Sequence, residues 1–151
     1  MFVTGSAHPD ASVYDVIEAA GLVVVGEDHD TGDAAWIGEA VDSGDRDEAI
    51  AQLTQRHAAR PPLAARSRTR ERAAELDRRL AETGASGMLA LARDLDDGPV
   101  WDLAGQRAVV EQRGLPFASR TRIAPEAASE AAQEVASALA AELAGAGQAT
   151  R

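Results

Sequence analysis

An α/β fold, a parallel sheet covered by helices on both faces, is the class this sequence predicts, and three observations carry it. Short apolar runs recur at Phe2-Val3-Thr4-Gly5, Leu22-Val23-Val24-Val25-Gly26, Gly87-Met88-Leu89-Ala90-Leu91-Ala92 and Leu115-Pro116-Phe117-Ala118. Between them lie segments whose apolar residues recur three and four positions apart, the period of a helix packed on one face. The second run is apolar at consecutive positions, as in parallel strands buried on both faces.

In chain order, Phe2-Val3-Thr4-Gly5 is the first strand. The helix after it places Val13, Val16, Ile17 and Ala20 on one face and stops at Gly21. Leu22 to Gly26 is the second strand. A polar stretch from Glu27 to Asp33 precedes a short helix expected around Ala34–Val41. Asp45 to Ala59 reads as a helix with Ile50, Leu53 and His57 in register, ended by Arg60-Pro61-Pro62. Ser67 is placed to cap a further helix through Thr83, with Ala73, Leu76 and Leu80 as its face. Gly87 to Ala92 is the third strand, Trp101 to Arg113 a helix closed by Gly114, and Leu115 to Ala118 the fourth strand. Pro125 opens the last helix, whose stripe is Ala128, Ala132, Val135, Leu139 and Leu143. Strands alternating with helices imply right-handed crossovers. The expectation is therefore one three-layer, doubly wound, flavodoxin-like domain over residues 1–144, with a four-stranded parallel sheet and a flexible tail at 145–151.

Composition narrows the function classes. The chain has 151 residues, 45% of them hydrophobic, enough for a core, and a formal net charge of −10. That charge works against phosphate attraction, so neither nucleic acid nor a membrane surface is an expected partner. No segment has the length and apolarity of a membrane span, and there is no signal-peptide pattern, so a cytoplasmic location is expected. There is no Cys, hence no disulfide and no thiolate metal site from this chain alone. All 15 cationic residues are Arg. Charge is unevenly placed: net −11 over residues 1–48, +5 over 49–80 and −4 over 81–151.

In an open parallel sheet, ligands bind beyond the carboxyl ends of the strands. Four loops qualify, beginning at Thr4, Glu27, Arg93 and Ser119. Gly5-Ser6 before a helix is a candidate phosphate cradle, or simply a tight turn. Glu27, Asp28, Asp30 and Asp33, with Asp94, Asp96 and Asp97, are candidate oxygen ligands for a divalent cation, or solvated loops and helix caps. His8 and His29 are candidate acid–base groups or ligands. Arg120 and Arg122 are candidates to pair with an anionic ligand, or form a solvated rim. The run Arg66, Arg68, Arg70, Arg72 is expected to face water or an acidic partner, and Trp36 and Trp101 to be packing anchors. The sequence holds no Ser-His-Asp arrangement, Walker loop or dinucleotide fingerprint.

Thr4-Gly5-Ser6 followed by Val23-Val24-Val25-Gly26-Glu27-Asp28-His29-Asp30-Thr31-Gly32 resembles the C-terminal domain of the 2-hydroxyacyl-CoA dehydratase and benzoyl-CoA reductase family. In that family the second segment reads as an apolar strand, two acids, one residue, Cys, Thr and Gly. The similarity continues through Arg56…Arg60-Pro61-Pro62, Gly87-Met88-Leu89-Ala90-Leu91, the Trp101 helix, and Gly114-Leu115-Pro116, which is similar to the family's Gly-Ile-Pro. It spans residues 2 to about 123. The resemblance implies acyl-CoA binding, ketyl-radical dehydration or ring reduction, a [4Fe–4S] cluster on Cys ligands, and an activating ATPase. It also implies a preceding domain of similar architecture, so a cluster-bearing or N-terminal-half subunit is the expected partner, in a homo- or hetero-oligomer.

The departures fall on the cluster ligands. By alignment the family's Cys after the third strand is Asp96, the Cys of the second-strand loop is Asp30, and a common Arg is Ala34. Carboxylate does not replace thiolate on a typical cluster. The [4Fe–4S] cluster is therefore not expected, while acyl-CoA binding stays compatible. Gly5, Ser6, His8, Asp30, Gly32, Asp96, Arg120 and Arg122 are the expected ligand-binding residues, with Ser6, Asp30, Asp96 and Arg120 gathered along one edge. No catalytic residue is assigned, and Asp30 and Asp96 are the metal candidates retained. The leading reading is a cluster-less homologue serving as a small acyl-CoA-binding or partner subunit of a larger complex, lyase-type if enzymatic. The alternatives are a non-catalytic interaction or regulatory domain, docking through its acidic first third and Arg-rich middle, and an enzyme whose divalent metal is held by Asp30, Asp96 and His29.

Overall fold

Four parallel strands form the sheet: β1 (Phe2–Gly5), β2 (Gly26–Glu27), β3 (Met88–Arg93) and β4 (Phe117–Ile123), in the spatial order β2-β1-β3-β4. The computed structural model describes residues 1–8, 10–29, 31–32, 35–36, 38–39, 41–62 and 68–149, with side chains described through 145. Among the described residues, five α-helices connect or follow the strands: α1 (Ser12–Ala19), α2 (Arg46–Ala59), α3 (Thr69–Thr83), α4 (Asp97–Gln112) and α5 (Ala128–Ala149).

The side-chain alternation of a strand divides the core in two. Val3, Leu89 and Leu91 point to one face, where Val13 and Ile17 of α1 and Ala132, Val135, Ala136 and Leu139 of α5 cover them. Phe2 and Met88 point to the other, against Leu76 and Leu80 of α3 and Val110 of α4. The sheet is thus doubly wound with helices on both faces, as the sequence predicts. From β1 the chain steps outward to β2 and then crosses back to β3 on the other side. The topological switch point therefore lies between β1 and β3, and the carboxyl ends of those strands are where this architecture places a ligand.

Several elements differ in extent from the sequence expectation. The Leu22–Gly26 run is not buried on both faces: Val23 is 67% and Val25 43% exposed. It leads into the edge of the sheet, with a neighbour on one side only. Its backbone is held by Met1, whose ammonium donates to the Val23 carbonyl at 2.6 Å and whose carbonyl accepts from the Val25 N–H at 3.0 Å. The expected helix around Ala34–Val41 includes positions 34, 37 and 40 outside the described residues, and the described ones form no α-helix. Helix α2 is capped by Asp45, whose carboxylate accepts from the Asp47 and Glu48 N–H groups at 2.9 Å. Its expected apolar face stays open, with Ile50 and Leu53 exposed. Ser67 lies outside the described residues, and α3 begins at Thr69.

Helix α4 starts at Asp97 rather than Trp101, and its inward positions are Asp102, Gln106 and Val110. Trp101, next to that stripe, is therefore 78% exposed, and Trp36 is exposed as well, so neither is a packing anchor. Strand β4 extends to Ile123. A short 3₁₀ turn over Pro125–Ala127 leads into α5, which continues past Gly145 to Ala149. Its Ala-rich composition favours propagation enough to carry one or two glycines, each costing about 1 kcal/mol. No helix among the described residues is long and apolar enough to cross a membrane.

Candidate functional site

At the switch point β1 and β3 approach too closely for any side chain on Gly5. Its φ is +118°, and a Cβ there would fall inside van der Waals contact with the Leu91 carbonyl. The next residue closes the gap. Ser6 N–H donates to the Leu91 carbonyl at 2.8 Å, its Oγ accepts from the Arg93 N–H at 2.9 Å, and its O–H donates to Asp96 Oδ2 at 2.6 Å. Ser6 is 1% exposed. Two of the expected site residues, Ser6 and Asp96, are thus brought together across the switch point and satisfy one another, and the Ser6 N–H of the expected phosphate cradle is engaged with protein.

Behind this edge, between the sheet and the α3–α4 layer, lies a buried polar network. Arg72 Nη2 stands 3.3 Å from Asp28 Oδ2, and its Nε stands 2.6 Å from Asp102 Oδ2. Gln106 Nε2 donates to Thr4 Oγ1 at 2.9 Å and to Asp28 Oδ2 at 3.4 Å, and Arg72 Nη1 donates to the Pro62 carbonyl at 3.0 Å. Arg72, Asp28 and Asp102 are all buried. Arg72 therefore does not face water with Arg68 and Arg70, and Arg66 lies outside the described residues. Burial pushes the Asp28 carboxyl above the ordinary carboxylate range, against the opposing pull of Arg72. This network ties β1, the loop after β2, α3 and α4 into one unit.

A cavity of about 560 Å³ lies beside β2 and the start of α1. Tyr14 of α1 donates to Glu27 Oε2, and His29 Nε2 lies 2.6 Å from both the Tyr14 hydroxyl and Glu27 Oε2. Thr31 Oγ1 is 3.4 Å from His29 Nδ1. His8 packs edge-on against both rings, with centroids 5.8 Å from Tyr14 and 5.8 Å from His29. Burial, then the neighbouring His29 and Arg93, bring the His8 pKa down to about 4, so this ring is neutral at pH 7. Neither of its ring nitrogens has a hydrogen-bond partner among the described residues. Gly32 stands against the same cluster, and a Cβ on it would press on the Glu27 carboxylate and the His29 ring.

The expected edge is therefore split. His8, Glu27 and His29 line the β2 cavity, with Gly32 against Glu27 and His29, while Ser6 and Asp96 sit at the switch point. Arg120 and Arg122 line a separate cavity of about 240 Å³ between β4 and α5, where Arg120 Nη1 lies 3.8 Å from Glu134 Oε1. Asp30 lies outside the described residues, and among the described residues no group of three or more His, Asp or Glu is arranged to hold a metal. Sequence reading passes over Tyr14 and groups Arg72 with the neighbouring arginines rather than with the buried face of α3. The signal for Arg72 is its spacing: it precedes Leu76 and Leu80 at four-residue intervals and so shares their buried stripe. The signal for Tyr14, the only Tyr in the chain, is its place next to Val13 on the helix following the His8 loop.

A family model described as the D-component of 2-hydroxyglutaryl-CoA dehydratase matches residues 1–119. No curated protein matches the chain.

Proposed function

The chain belongs to the 2-hydroxyglutaryl-CoA dehydratase D-component family, and from that premise we propose that it is a cluster-less member, a small acyl-CoA-binding subunit acting beside a partner that carries the electron-transfer step. The observation that carries this reading is the Ser6–Asp96 hydrogen bond of 2.6 Å at the switch point. A [4Fe–4S] cluster takes thiolate donors. This chain has none, and the carboxylate that aligns with the family's Cys after β3 is engaged by Ser6. The residues do not fit that group, and no step of the proposed function runs through it.

Ligand binding is supported by the position and size of the β2 cavity. It opens at the carboxyl end of a parallel sheet, and its roughly 560 Å³ falls within the range of small-molecule sites. Its lining combines an apolar part, Ala11, Val24 and Val25, with a few convergent polar groups. Isothermal titration with CoA and a panel of short acyl-CoAs tests the reading. The expected result is saturable binding with a Kd below about 1 mM, or about −4 kcal/mol. Absence of heat and of thermal stabilisation with every acyl-CoA overturns it.

A second reading, a non-catalytic interaction domain, is favoured by one observation. The turn between β3 and α4 exposes Leu95 (94%), in the left-handed region at φ 63°, and the first part of α4 exposes Trp101 (78%). Stoichiometric association with a partner without acyl-CoA binding distinguishes it.

A further inference from the structure

The two edges of the sheet differ in a way that gives one of them a partner, independently of what the β2 cavity binds. We propose that the open edge leading into β2 pairs antiparallel with the same edge of a second copy of this chain, about a two-fold axis at Val24, and joins the two sheets.

The backbone leads there. Met1 bonds the Val23 carbonyl at 2.6 Å and the Val25 N–H at 3.0 Å, the alternate bonding of a parallel ladder. Those groups point inward, so the N–H and C=O of Val24 between them point away from the sheet. Neither takes part in a hydrogen bond among the described residues. The Val24 side chain packs on the core beneath α1 and α5, while Val23 and Val25 stand exposed. No residue from Leu22 to Gly26 is charged and none is Pro. The opposite edge is built differently. There β4 carries exposed Arg120 and Arg122, its ladder with β3 shifts register between Leu91 and Arg93, and Arg122 sits in the left-handed region at φ 57°. Charge and irregularity are what keep an open edge from pairing, and the β2 edge lacks the charge.

A second copy is the occupant because this edge is complementary to itself. In an antiparallel pair centred on Val24, the two Val24 residues exchange N–H and C=O bonds. Val23 of each copy then lies opposite Val25 of the other, in the close pairs without hydrogen bonds, so the exposed side chains cover one another. The same register sets Glu27 opposite Gly21 and Asp28 opposite Ala20, so neither acid meets an acid despite the charge of the first third. Such a contact is isologous and closes at two copies.

Sedimentation equilibrium of the whole chain over about 1–200 µM tests the pairing. The expected result is a reversible dimer with a dissociation constant of about 10–100 µM, as suits a contact of about five residues a side. Because each copy carries a net charge of −10, added salt screens the repulsion and tightens the dimer. Val23→Lys, and separately Val25→Glu, weakens association about 10-fold or more, since each charge enters the contact twice against an apolar side chain. Mixing the two variants restores it, because the introduced ammonium then faces the introduced carboxylate while the remaining Val25 and Val23 still meet. Circular dichroism of the variants checks the fold. Hydrogen exchange of the parent gives a reading that needs no variant: Val24 N–H gains protection as concentration rises. A chain that stays monomeric to about 200 µM, leaving the edge to a strand of another sequence, overturns the proposal. So does a dimer that weakens with salt, that either variant leaves as tight as the parent, that mixing fails to restore, or that forms without protecting Val24.

Discussion

Replacing Arg72 with Met removes the one cation of the buried network while keeping most of the side-chain volume. Asp28 and Asp102, 6% and 2% exposed, then both lose the guanidinium they share. Breaking a buried ion pair by deleting one partner costs about 3–5 kcal/mol, because the remaining charge stays desolvated. Asp28 already takes up a proton more readily than an exposed carboxylate, which limits the cost, so about 3 kcal/mol at pH 7 is expected. In a domain of this size that corresponds to a Tm lowered by about 6–12 °C.

The pH dependence has a definite sign. The folded-state pKa of Asp28 is raised above its unfolded value, so between the two the folded state binds more protons. Stability therefore falls as pH rises through that window. Loss of Arg72 removes the pull that opposes this shift, so the variant's deficit grows as pH rises from about 4 toward 7. Urea denaturation of both proteins at about pH 4 and pH 7, at constant ionic strength, measures it. Adding Asp28→Asn to the variant recovers part of the loss at pH 7. A deficit below about 1 kcal/mol at pH 7, or equal deficits at both pH values, refutes the account of Arg72 as the neutralising charge.

Two further substitutions probe the switch point. Gly5→Ala combines a positive φ, costing about 1–3 kcal/mol, with a steric conflict against the Leu91 carbonyl, so a loss of about 3 kcal/mol or more is expected in thermal denaturation. A Tm unchanged from the parent contradicts the close approach of β1 and β3. Ser6→Ala leaves the Arg93 N–H and the Asp96 carboxylate without their shared hydroxyl, for an expected loss of about 2 kcal/mol. Denaturant unfolding within about 0.5 kcal/mol of the parent shows instead that water replaces the hydroxyl at little cost.

The strand and helix order was legible because it rests on local patterns: four apolar runs, their spacing, and punctuation by Gly114 and Pro125. The buried faces of α1, α3 and α5 followed from the same periodicity, with Ile17, Leu76, Leu80 and Leu139 where the stripes put them. The pattern failed where a buried stripe is polar. Asp102 and Gln106 occupy inward positions of α4, so apolarity pointed to Trp101, which faces out. Arg72 follows the same rule: grouped in sequence with arginines expected to face water or an acidic partner, it lies buried against Asp28 and Asp102 of its own chain.

Of the expected site, Ser6 with Asp96 and His8 with Gly32 fall at the carboxyl end, but in separate places. Arg120 and Arg122 belong to the β4–α5 side. From the residues alone follow the layered α/β class, the acidity of the first third and the lack of thiolate ligands. Which groups meet was decided only by the crossing of the chain through β1, β3 and the α3–α4 layer. Arg72 reaches Asp28 across 44 positions and Gln106 reaches Thr4 across 102. A hydrogen bond depends on positions to within a fraction of an ångström, and no local periodicity carries that information between segments so far apart.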